Sequence, residues 1–221
     1  MTIAVGFLCD GGKEVYIAAD RQFTSPGFFK YQEKKYFTDQ KGALGLAFAF
    51  AGDPGVFREV QQKVCGYLDQ VEDLSVTLVQ ATIEEVVNSL NLRFSGSLYM
   101  LVGVNEIFDP PKLIIFDGKG VFLAEDRVYA VGCGESSLLR YLGDHLYAPD
   151  LPSVNSLGLA AYLVKKATQY VDYCGEPIDI LHGDVCGFVE VEPEKIKAAI
   201  QMMERQEQFL STLLIQKPFE I

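Results

Sequence analysis

Bulky and small residues alternate without a break from Ala43 to Ala51. Leu44, Leu46, Phe48 and Phe50 interleave with Ala43, Gly45, Ala47, Ala49 and Ala51. A strand turns successive side chains to opposite faces, so this run predicts a β-strand with one bulky face and one nearly bare one. A bare face lets another backbone come close. It fits either packing against a neighbouring element or a substrate groove.

The same period of two predicts a hairpin from residues 3–9 and 15–20, turned by Asp10-Gly11-Gly12. Residues 22–33 are aromatic and polar and are broken at Pro26-Gly27, so they read as a loop. A short strand starts at Lys35-Tyr36-Phe37. After Gly52, Asp53-Pro54 reads as an N-cap followed by proline at the first helical position. Phe57, Val60, Val64, Leu68 and Val71 then recur at helical spacing, and Ser75 caps a second helix striped by Val79, Ile83, Val86, Val87 and Leu90. Short strands follow at 98–104, 113–116, 121–124 and 128–131. Two further helices carry Leu138, Leu139 and Leu142, then Leu159, Leu163, Val164, Ala167 and Tyr170. A hairpin around Gly183-Asp184 and a helix opening at Pro193 complete the chain.

Strands followed by helix pairs, twice over, predict an α+β architecture. The expectation is a four-layer αββα sandwich of two antiparallel sheets flanked by helix pairs. No linker, repeat or low-complexity tract interrupts it, so residues 1–221 are expected to form one domain with a C-terminal helix from about 193. A dinucleotide fold is excluded because no Gly-rich turn joins an early strand to a helix.

Charge narrows the function. The net charge of −11 disfavours contact with phosphate backbones, so nucleic acid is not an expected partner. No uninterrupted apolar run is long enough to span a bilayer, and residues 1–9 lack a basic leader, so no membrane association and a cytoplasmic location are expected. Five unpatterned cysteines read as reduced thiols, and two distant histidines offer no metal or His-based site. No cofactor and no metal are expected.

The remaining chemistry is at the N-terminus. Thr2 becomes the chain end if Met1 is removed, and Asp20 and Lys35 follow at strand ends. A terminal threonine carries its own base in its α-amine. Asp20 and Lys35 taken alone fit either a catalytic pair or an ordinary salt bridge.

Several motifs in order give this pattern a family likeness. They are Thr-Ile-Ala-Val-Gly at 2–6, Ala-Ala-Asp-Arg at 18–21 with Thr24, Lys-Lys-Tyr-Phe at 34–37, Ala-Gly-Asp at 51–53 and Val-Gly-Cys-Gly at 131–134. The chain resembles a proteasome-type β subunit, or bacterial proteasome-like peptidase, of the N-terminal-nucleophile (Ntn) hydrolase superfamily. The resemblance implies Thr2 as nucleophile, Asp20 and Lys35 as its assistants, and a backbone N–H at Ala49 as oxyanion donor, where the family usually has glycine. Phe23, Thr24, Phe37, Ala47 and Ala51 are the expected substrate contacts, with Phe23, Phe37 and the small Ala47 lining an apolar pocket. Cys133 and Asp172 are expected to support the site, although the family's serines are missing there. The implied activity is threonine-type hydrolysis of peptide bonds in unfolded proteins inside a homo-oligomeric ring, with an ATP-dependent unfoldase as a further partner. A catalytically silent ring-forming scaffold and a small-amide hydrolase are the alternatives.

Overall fold

The computed structural model describes residues 3–24, 30–132 and 136–216. The expected first hairpin forms from β1 (Ile3–Cys9) and β2 (Glu14–Asp20), with Ala4 opposite Ala19. Its turn needs positive φ at Asp10, Gly11 and Gly12, which glycine adopts without strain. The stretch expected to be a loop instead holds a second, smaller hairpin of β3 (Gln22–Thr24) and β4 (Lys30–Gln32). Its strands of three residues are too short for an alternation to register. They are held by Phe23, which is buried and stacked on Tyr31 at 5.3 Å.

Next come β5 (Tyr36–Lys41) and β6 (Leu44–Gly52), then α1 (Pro54–Leu68) and α2 (Val76–Ser89). Both expected caps form. Asp53 Oδ1 accepts from the N–H groups of Gly55 and Val56, and Ser75 Oγ accepts from Leu78. The first helix ends at Leu68, so Val71 lies beyond it. Strands β7 (Leu98–Glu106), β8 (Lys112–Phe116), β9 (Val121–Leu123) and β10 (Tyr129–Gly132) follow, then α3 (Ser136–Leu146) and α4 (Ser153–Tyr170). The chain continues through β11 (Ile178–Asp184), β12 (Gly187–Glu190) and α5 (Pro193–Gln216). The β11–β12 turn falls two residues later than expected, at Val185-Cys186. Asp184 pairs with Gly187 and its carboxylate caps the Cys186 N–H, while Gly187 supplies φ +118°.

The strands form two antiparallel sheets, ordered β10-β1-β2-β11-β12 and β5-β6-β7-β8-β9, besides the small β3–β4 pair. Helices α1 and α2 bury Phe57, Val60, Val64, Val79 and Ile83 against the bulky face of β6. Ala47 and Ala49 face the other sheet, among Ala4, Ile17, Ala19 and Leu181. The bare face of β6 therefore serves close sheet-to-sheet packing. On the far side, α3, α4 and the start of α5 cover the first sheet through Leu139, Leu163, Val164, Ile196 and Ala199. That layer has a third helix where a pair was expected. The result is the four-layer αββα sandwich. Among the described residues no helix is long and apolar enough to cross a membrane.

One side chain fixes how closely the sheets approach. The ring of Phe188 on β12 occupies a slot whose walls are glycines. A Cβ on Gly103 would fall 2.7 Å from the ring, and one on Gly183 would fall 2.3 Å from it. Gly183→Ala is expected to lower unfolding stability by about 1–3 kcal/mol through overpacking. Adding Phe188→Leu should restore part of the loss in a urea melt.

Burial also sets an alkaline limit. It pushes the Cys9 thiol from its ordinary 9.0 up to about 11 and the Tyr16 phenol from 10.0 up to about 12. Both groups are neutral when protonated, so the folded state binds more protons than the unfolded state above pH 9. Stability is expected to be intact below about pH 9 and to fall as pH rises toward 11, in thermal melts across that range.

Candidate active site

Strand β2 ends inside the protein on an acid. Asp20 is 0% exposed, as is Lys35, which precedes β5. Lys35 Nζ donates to Asp20 Oδ1 at 2.6 Å and to the carbonyl of Gln22, and it sits 4.7 Å from the centre of the Phe23 ring. A buried ion pair repays its desolvation only when its remaining polar atoms find partners. Here they do. Asp20 Oδ1 also accepts the Ile3 N–H at 3.1 Å, while Oδ2 accepts those of Gln22 and Gly175, each at 3.1 Å. Thr2 lies outside the described residues, but a single peptide bond joins it to Ile3.

The register of β6 moves the expected oxyanion donor. Phe50 N donates to the Lys35 carbonyl at 3.1 Å, and Asp53 N donates to the Ser97 carbonyl, just before β7, at 2.8 Å. Main-chain groups in an antiparallel strand face alternate neighbours. Even-numbered residues of β6 therefore turn toward β5, and odd-numbered ones toward β7. Ala49, opposite Leu101, directs its N–H into the β6–β7 ladder and away from Lys35. The role expected of Ala49 is not open to it. Gly52 turns its N–H to the Lys35 side, past the start of β5. Its φ is +131°, and a Cβ there would lie 2.2 Å from the Ser97 carbonyl oxygen, so glycine is required. The signal was the glycine of the Ala-Gly-Asp turn itself.

The expected substrate contacts do not share one surface. Phe23 is buried and packs on Phe50 and Tyr31. Phe37 pairs with Phe48 and shares the helix-side face with it. Ala47 lies opposite Thr38, faces the other sheet and is 0% exposed. Phe37 and Ala47 thus point to opposite faces of one sheet, and they form no common pocket with Phe23. Ala51, also fully buried, lies opposite Tyr99. Thr24 differs from these: its hydroxyl is buried and, among the described residues, has no hydrogen-bond partner. A buried hydroxyl left so costs about 1–3 kcal/mol, which an arriving partner can offset.

Of the supporting residues, Cys133 lies outside the described residues. Asp172 is exposed, and among the described residues it is its carbonyl that is engaged, accepting from Gln22 Nε2 at 3.3 Å and Lys30 Nζ at 3.1 Å. The loop it opens reaches the acid through Gly175 instead. A Cβ on Gly175 would fall 2.3 Å from Gln22 Oε1, so glycine lets the loop close down on β3. Sequence reading also missed the Arg21 clamp. Arg21 Nε and Nη2 hold both oxygens of the buried Asp179, at 2.7 and 2.5 Å, and fix the end of β2 to β11. That bond raises the guanidinium above its ordinary range. Nearby, burial and the Glu190 carboxylate push the Tyr36 phenol up to about 12. Among the described residues no cluster could hold a metal ion.

Comparison with solved structures bears on the fold. Anbu from Yersinia bercovieri, an ancestral beta-subunit, superposes with a TM-score of 0.75 at 15% identity over 98% of each chain. The fold is proteasome-like. A Gly-1 mutant of Anbu from Hyphomicrobium sp. strain MC1 gives 0.79 at 15% identity, over 98% of this chain and 100% of that one. Anbu from Pseudomonas aeruginosa, solved as a helical assembly, gives 0.71 at 18%, over 100% and 99%. No family model matches the sequence, and no curated protein matches it. The proteasome-like frame sets β1 and β2 side by side, so that residue 3 and Asp20 meet at one end of their sheet.

Lys35→Ala would leave a buried carboxylate without its cation. Unfolding stability is expected to fall by about 3–5 kcal/mol, read as a lowered urea midpoint.

Proposed function

We propose that this chain is a threonine-type peptidase that hydrolyses peptide bonds of unfolded proteins, with Thr2 as nucleophile once Met1 is removed. One observation carries the reading. The Ile3 N–H reaches Asp20 Oδ1, the oxygen that also takes the Lys35 ammonium. The peptide nitrogen of Ile3, to which Thr2 is bonded, therefore shares its acceptor with a buried cation.

In this mechanism the α-amine of Thr2 takes the proton from the hydroxyl, directly or through a water. Lys35, held charged against Asp20, makes a second nearby positive charge unfavourable and so leaves the amine free to act as base. The Thr2 oxygen attacks the peptide carbonyl, and the Gly52 N–H receives the developing oxyanion. Such a donor typically contributes about 3–4 kcal/mol to the transition state. The leaving amine takes the proton from the Thr2 ammonium, and the acyl ester is then hydrolysed by water activated by the same amine. The Thr24 hydroxyl gains a main-chain partner from the bound peptide.

The proposal treats the chain as one domain that self-associates, in line with the assembled Anbu complex. An ATP-dependent unfoldase would deliver its substrates.

Protein shown by intact mass to lack Met1 is expected to form a covalent adduct at Thr2 with a peptide epoxyketone, which requires the hydroxyl and the free amine of one residue. Thr2→Ala should abolish both the adduct and hydrolysis of an unstructured protein. Turnover that survives Thr2→Ala, or trimmed protein that takes no adduct, overturns the reading.

A further inference from the structure

Strand β10 is an edge. It pairs with β1 through Ile3–Gly132, Ala4–Val131, Val5–Ala130 and Gly6–Tyr129, and among the described residues no strand lies on its other side. The Ile3 N–H turns toward β2, so the alternation turns Ala4 and Gly6 toward β10. Their partners Val131 and Tyr129 face inward in return. The main-chain N–H and C=O of Ala130 consequently face out.

They face a cleft. It holds about 270 Å³ at the mouth of the sandwich, with Ile115 and Phe122 on its wall and Arg127 and Arg140 at its rim. In a chain of net charge −11, two arginines stand beside an open strand edge. The acid that lines the cleft, Asp117, is engaged by the N–H groups of Lys119 and Gly120. Asp144 stands 4.0 Å from Arg140 in an exposed pair, too weak to occupy it. Arg127 lies 4.8 Å from the centre of the Tyr129 ring and hydrogen-bonds that residue, and the Glu125 and Asp144 carboxylates act on it across an exposed surface, where such pairs are weak.

The strand also ends beside Ile3, the residue that follows the candidate nucleophile in sequence, because Gly132 pairs with Ile3. We infer that this cleft binds one flank of the substrate: an extended peptide that adds to the edge of β10 and presents an acidic side chain to Arg127 and Arg140. The inference rests on the peptidase reading for the continuity of that peptide with the scissile bond. Strand addition supplies sequence-independent affinity through the main chain, and the arginines supply the choice of side chain.

The test uses full-length Thr2→Ala protein and two fluorescent hexapeptides, one alternating valine with glutamate and one alternating valine with lysine. Fluorescence anisotropy is expected to show the glutamate peptide binding at least about ten-fold tighter. The double variant Arg127→Ala/Arg140→Ala should erase that preference. Ala130→Pro, which removes an outward N–H where an edge strand tolerates proline, should weaken both peptides. A thermal melt of each variant confirms that it is folded. Equal binding of the two peptides, or undiminished binding of the glutamate peptide by the folded double variant, overturns the inference. The epoxyketone adduct is scored separately on protein with Thr2 intact. Adduct without peptide preference sinks the cleft alone, and preference without adduct sinks the peptidase reading alone.

Discussion

The ion pair between Asp20 and Lys35 is completely shut off from water, and the surrounding chain is arranged to keep it so. Charges removed from solvent need partners on every side. Here the first residue of β1, the start of β3 and the loop after α4 each send a main-chain N–H to the carboxylate. None of these segments adjoins another in sequence. Their convergence is thus a product of the whole fold, and the pair can exist only once both sheets are assembled.

The sheets meet closely because one side of the interface carries little bulk. Alternation in β6 puts its phenylalanines under α1 and α2 and its alanines against the other sheet. The glycines around Phe188 let one ring bridge the remaining gap. Close approach brings the end of β6 alongside Lys35, where the turn at Gly52 can point a main-chain donor at the same place as the cation. Packing and chemistry share one cause, the small side chains that β6 turns to the inner face.

What could be read from the sequence was local. Asp53 and Ser75 cap their helices within three residues of themselves, and the alternation in β6 needs no knowledge of its neighbours. Asp20 and Lys35 were legible as candidates because each sits at a strand end within a recognisable motif. The rest depended on register. Whether Ala49 or Gly52 offers its N–H to the site turns on which neighbour each residue faces, and a shift of one residue reverses the answer. Phe37 and Ala47 looked like neighbours lining a pocket, yet parity sends them to opposite faces. Gly175 gave no signal, since its role depends on a glutamine side chain from a distant strand. The three-residue strands β3 and β4 were too brief for any period to show.

The bond from Gly175 to Asp20 has a mechanical side. The loop that makes it hangs from the C-terminal end of α4, a helix in the outer layer, so the acid is yoked to an element far from it in sequence. Sliding α4 along its sheet by the length of a hydrogen bond would loosen one oxygen of Asp20 and leave the other gripped by Lys35 and Ile3. Whatever shifts α4, which is itself packed against α5, therefore has a lever on the innermost charge of the molecule.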